Sequence, residues 1–173
     1  MLSQPGIRVL IVSSDKNVRT QMKNIFQLLG VRDIEVALDG PDAVTAIEIE
    51  TVHPFDLILC DAKLDNLYYS NVLAAVQKRT DSKGAYFVVS YWESDKNLHS
   101  SFINSGADDG FTKPAEIEVI QSILEKTIHK KTLTTAQSIL IFASGACLSV
   151  KNNKIFNPGE CDRMFELFTE MFL

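Results

Sequence analysis

The chain has 173 residues, enough for one domain of ordinary size with an appendage. Hydrophobic residues make up 46% and charged residues 23%, which excludes a disordered chain, while eight Gly and five Pro exclude a collagen-like or Pro-rich one. Seventeen Lys and Arg against 22 Asp and Glu leave a net charge of −5, which argues against nucleic acid as a partner, since phosphate-backbone binding needs a basic face.

The longest apolar runs, Phe55–Cys60 and Ile139–Ala143, fall far short of the ~18 residues that span a membrane. Met1–Pro5 has no basic start followed by a long apolar run, so no signal peptide is expected. Cys60, Cys147 and Cys161 have no metal-ligand spacing and read as reduced thiols. These features together predict a cytoplasmic protein with no membrane partner.

Ile7–Val12 is a short apolar run of buried-strand type. Asn17–Leu29 carries Val18, Met22, Ile25, Phe26 and Leu29 on one helical face, with Gly30 as the stop. Ile34, Val36 and Leu38 alternate as in a strand. Pro41–Glu50 reads as a short helix with Val44 and Ile47 inward, and Pro41 suits its first turn. Phe55–Cys60 is the third strand and Asn71–Lys78 a helix through Val72, Ala75 and Val76. Ala85–Ser90 is the fourth strand. Leu98, Phe102 and Ile103 mark a helix ending at Gly106. Gly110–Thr112 is a short fifth strand, and Ala115–Ile128 closes the series with Ile117, Ile120, Ile123 and Leu124 facing in.

Five strand–helix units joined by short connections predict an α/β fold, a doubly wound five-stranded parallel sheet with helices on both faces. In such sheets the functional crevice lies at the carboxyl ends of the strands. The residues there are Ser13, Ser14 and Asp15 after the first strand, Asp61 after the third, Ser90 and Tyr91 at the fourth, and Lys113 after the fifth. Asp61 alone is unremarkable, because a lone Asp in that place caps a helix more often than it reacts. A carboxylate, a hydroxyl and an ammonium converging from three adjacent strand ends are more specific. The carboxylate can act as a nucleophile and form an aspartyl phosphate. Lys113 would hold one phosphoryl oxygen as a point charge, and Ser90 would donate to a second.

Ile7–Ile128 resembles the receiver domain of two-component response regulators. The resemblance rests on VLIV ahead of the first loop, Ala37-Leu38-Asp39-Gly40, FDLILCD with Asp61 last, FVVS with Ser90 last, and GADDGFTKP from Gly106 to Pro114. It implies a flavodoxin-like fold over residues 1–128 and a histidine kinase or other signalling protein as partner. It makes Asp61 the phosphoacceptor, with Ser90 and Lys113 as the phosphoryl-stabilising and switch residues. Within the family, phosphorylation draws the Ser or Thr inward, and an aromatic on the fifth strand follows.

The departures from the family pattern predict a degenerate pocket. Receivers place two adjacent acids after the first strand to bind Mg²⁺; Ser13 and Ser14 stand there, and Asp15 comes one place late. Losing two carboxylates should leave Mg²⁺ weakly bound or unbound, with Asp15 and Asp61 the only acids left to hold it. Asp65 and Tyr69 replace the family's Pro and Gly, and Tyr91 then Trp92 follow Ser90 where a small residue is usual. Gly110 stands at the switch aromatic, while Phe111 next to it should point to the opposite face, into the core. Lys63 is either a solvated loop residue or a cation substitute folding back onto Asp61. With neutral Ser13 and Ser14 beside it, Asp61 is expected to be ionised and paired with Lys113.

Two signalling readings follow: a pseudo-receiver that binds a protein partner without catalysis, and a conventional Mg²⁺-dependent phospho-switched regulator using Asp15 and Asp61. A third, a flavodoxin-like enzyme or flavin binder, lacks a Ser/Thr/Gly-rich phosphate cradle after the first strand. His53, His99 and His129 lie far apart without ligand spacing.

Residues 129–173 form a C-terminal extension. A helix pair is favoured there; two strands, Ser138–Phe142 and Ala146–Val150, are the alternative. Met164, Phe165, Leu167, Phe168, Met171 and Phe172 crowd one stretch of the last helix and predict an interaction surface, folded back on the monomer, pairing a homodimer or docking a downstream domain. The apolar pattern runs on to Leu173, which leaves room for a longer protein with an output region.

Overall fold

The computed structural model describes residues 6–49, 53–78 and 84–133. Five strands, β1 (Arg8–Val12), β2 (Asp33–Ala37), β3 (Leu57–Asp61), β4 (Tyr86–Trp92) and β5 (Asp109–Lys113), pair in parallel in the order β2-β1-β3-β4-β5. This is the flavodoxin-like order, with its switch point between β1 and β3. The helices are α1 (Lys16–Leu28), α2 (Gly40–Ile49), α3 (Tyr69–Lys78), α4 (His99–Asn104) and α5 (residues 117–133).

Strand alternation sorts the core into two layers. Val9, Ile11, Leu57, Leu59, Val88 and Phe111 point to one face, where Val18, Met22 and Phe26 of α1 and Ile120, Ile123 and Leu124 of α5 cover them. Leu10, Val12, Ile58, Cys60, Phe87, Val89 and Tyr91 point to the other, under α2, α3 and α4. Gly30 and Gly106 end α1 and α4 with φ of 88° and 105°, the left-handed turn that suits Gly after a helix. Gly40 begins α2 against Leu67, whose Cβ would lie 2.4 Å from an added methyl group.

Several boundaries differ from the sequence reading. β2 stops at Ala37 and leaves Leu38 exposed. β4 runs two residues past Ser90, because Tyr91 and Trp92 still pair with Thr112 and Lys113 of β5. A 3-10 turn, Glu93–Leu98, precedes a shortened α4. Ile117, expected inward, is partly exposed at the start of α5. The chain falls into two compact units, Met1–Lys131 and Thr132–Leu173. The expected helix pair and its Met/Phe surface (Met164, Phe165, Leu167, Phe168, Met171, Phe172) lie outside the described residues.

Candidate functional site

Asp61 is the last residue of β3 and Ser90 lies beside it in β4. Ser13 continues β1 on the face of Ile11, and Lys113 ends β5 on the face of Phe111. Period-two alternation therefore brings all four side chains out on the α1/α5 side, at the carboxyl end of the sheet. They meet around the Asp61 carboxylate. Ser90 Oγ donates to Oδ1 in a short hydrogen bond, and Lys113 Nζ reaches the same oxygen at 2.9 Å. Ser13 Oγ donates to Oδ2 at 2.6 Å. Asp61 is 3% exposed, and Ser13 and Ser90 are fully buried. The Lys113 side chain is only 8% exposed. Both carboxylate oxygens thus have buried donors, and no buried side-chain polar atom among the described residues lacks a partner.

The loop after β1 is held from several sides. Ser13 Oγ accepts from the Asp15 amide at 3.2 Å, and Arg19 donates to the Ser13 carbonyl at 2.7 Å. Ser14 Oγ accepts from the Asp65 amide at 2.9 Å, which ties this loop to the one after β3. Asp15 is exposed, and its carboxylate accepts from the Asn17 amide at 2.7 Å as the N-cap of α1. It faces its own helix rather than Asp61.

Lys63 does not fold back onto Asp61. Its ammonium reaches Asp95 of the 3-10 turn at 3.2 Å, and its side chain is 70% exposed. The cation against Asp61 is Lys113. Trp92, two residues beyond Ser90 and on the same face, lies over that ammonium, with Nζ 4.7 Å from the ring centroid. The sequence reading named Trp92 only as a departure. Period two from Ser90, together with its pairing to Lys113, is the signal that could have found its role.

On the opposite face, Tyr91 fills the space above Gly110. A methyl group on Gly110 would come within 3.2 Å of the Tyr91 ring. Tyr91 Oη lies 2.9 Å from His99 Nδ1, and the Tyr91 ring centroid lies 5.2 Å from that of Phe102. Burial, reinforced by Glu93, pushes the Tyr91 phenol up, so it stays protonated. Phe111 packs into the α1/α5 core. Cys60 lies beside Asp61 in sequence but on the other face; burial, then the Asp61 charge, pushes its thiol well up, so it is no nucleophile.

Residues 9–125 match the family model described as the response regulator receiver domain. The chain belongs to this family. The receiver is 27% identical over 119 residues to a probable chemotaxis protein CheY of Rhizobium etli, covering 69% of this chain and 90% of that one. It is also 27% identical over 165 residues to a probable transcriptional regulator ycf27 of Cyanidium caldarium, covering 92% of this chain and 64% of that one. Among solved structures it is similar to the receiver domain of a sensor histidine kinase of Pseudomonas aeruginosa PAO1, which has a magnesium ion coordinated in its active-site cleft. That likeness has a TM-score of 0.63 at 21% identity and covers 72% of this chain and 99% of that one. The family places this receiver in two-component signalling, where receivers bind Mg²⁺ and interact with histidine kinases and other signalling proteins. No helix among the described residues is long and apolar enough to cross a membrane.

Proposed function

We propose that this receiver is a degenerate one, acting by binding a protein partner rather than by an efficient Mg²⁺-dependent phosphoryl switch. One observation carries the reading: Asp61 already has a donor on each oxygen, Ser90 and Lys113 on Oδ1 and Ser13 on Oδ2. Mg²⁺ demands near-octahedral oxygen coordination and favours carboxylates. The residues at hand fit it poorly. Ser13 and Ser14 bring no charge, and their hydroxyls already bond Asp61 and the Asp65 amide. Asp15 is engaged at the start of α1. Without a divalent cation, Lys113 is the cation that the described residues set against the charge that develops on a transferring phosphoryl group.

The conventional reading keeps one specific observation in its favour. Asp61, Ser90 and Lys113 stand together as a phosphoacceptor, hydroxyl and ammonium should. Incubation with acetyl phosphate and Mg²⁺, followed by intact mass, separates the two. We expect no Mg²⁺-dependent aspartyl phosphate. Labelling that needs Mg²⁺ and disappears in Asp61→Asn would overturn the degenerate reading in favour of the conventional one.

A further inference from the structure

The ammonium of Lys113 has two unlike neighbours. On one side is Asp61 Oδ1 at 2.9 Å; on the other is the face of the Trp92 indole, with its centroid at 4.7 Å. Burying an ammonium costs several kcal/mol of lost hydration, and a single carboxylate oxygen accounts for only part of its shell. An indole face attracts a cation through its quadrupole and, unlike water, does not exchange. The backbone aims the ring there: Trp92 pairs with Lys113 across β4 and β5, so the two side chains leave the same face of the sheet side by side. The ring stays half exposed, so it forms the outer wall of the pocket, with the ion pair behind it. An apolar ring of this size left half in water at the end of a strand gains little from packing alone.

We propose that Trp92 is the positioning residue for Lys113 and the lid of the Asp61 pocket: its indole holds the ammonium on the carboxylate and keeps water off the pair. Any group approaching Asp61 from the β4–β5 side must first displace this ring. The inference deepens the functional reading above, since it names what keeps the pocket shut.

The test reads the ammonium itself. In the ¹⁵N-labelled full chain, the Lys113 ammonium protons should exchange slowly with water. Trp92→Ala should speed that exchange about tenfold, the change expected from losing a desolvated cation–π contact. Trp92→Phe keeps a π face and should restore most of the protection. Backbone amides of Leu59 and Val88, in the strands behind the pocket, should exchange as in the wild type. Unchanged ammonium exchange in Trp92→Ala would overturn the proposal. So would backbone amides that accelerate in step with it, because Trp92 would then merely support the strand. The unmutated chain supplies a second reading should the Ala variant not fold. The ring current of Trp92, the single Trp of the sequence, should move the Lys113 Cε protons upfield, and unshifted protons would count against the lid. None of these measurements uses Mg²⁺ or a phosphoryl donor. Labelling of Asp61 would therefore overturn the functional reading without touching this one, and a mobile Lys113 would do the reverse.

Discussion

The pocket has two halves of different character. The half built by β3, β4 and β5 supplies Asp61, Ser90 and Lys113, a buried carboxylate with a hydroxyl and an ammonium on one oxygen. The half built by the loop after β1 supplies Ser13, Ser14 and Asp15, which bond Asp61, the Asp65 amide and the Asn17 amide in turn. The first half brings opposite charges together. In the second, each side chain makes a bond that fastens a loop or a helix. A hydroxyl such as that of Ser13 can satisfy a buried carboxylate oxygen, although it cannot replace a divalent charge.

Three variants would break or sharpen this contrast. The largest effect should come from Lys113→Ala, which leaves a buried carboxylate without its counter-charge. A loss of about 3–5 kcal/mol in urea unfolding is expected, as for removing one partner of a buried ion pair. A loss below about 1 kcal/mol would mean that Asp61 finds water readily and that the pocket is open. Ser13→Ala should cost less, about 2 kcal/mol in the same assay, for one hydrogen bond to a charged acceptor. If it costs as much as Lys113→Ala, the two halves do not differ as described. The smallest effect is a gain. Ser13→Asp combined with Ser14→Asp should raise Mg²⁺ affinity at least about tenfold, or about 1.4 kcal/mol, in an isothermal titration. No gain would mean that the loop has lost a metal-binding shape along with its acids.

The fold was legible because its cues are local. Apolar runs such as Val9–Val12 and Leu57–Cys60 are buried on both sides, as parallel central strands must be. Ile120, Ile123 and Leu124 show the helical period that packs α5 onto the sheet. The Asp61–Lys113 contact was also within reach, since both residues follow strands that had to be near neighbours. What escaped the sequence depended on contacts across loops. Lys63 turned to Asp95 because the 3-10 turn brings that acid over the β3 end, and no periodicity announces Glu93–Leu98. Ser90 looked terminal because it is polar, yet pairing with β5 carries the strand on through two aromatics of high strand propensity. Trp92, a departure from the family pattern in the sequence, gains its contact with Lys113 through that same pairing.

Asp15 illustrates how one side chain can face two competing demands. Its carboxylate closes the first turn of α1 by accepting from the Asn17 amide. To turn toward Asp61 and share a cation, it would have to release that amide. Losing an N-cap costs about 1 kcal/mol. Only about one molecule in six would then hold Asp15 available at a given moment, and a cation using it would bind about sixfold more weakly than its contacts alone allow. Helix initiation is thus a standing competitor for the last acid this loop possesses, and the competition is set by ordinary folding energetics before any ion arrives.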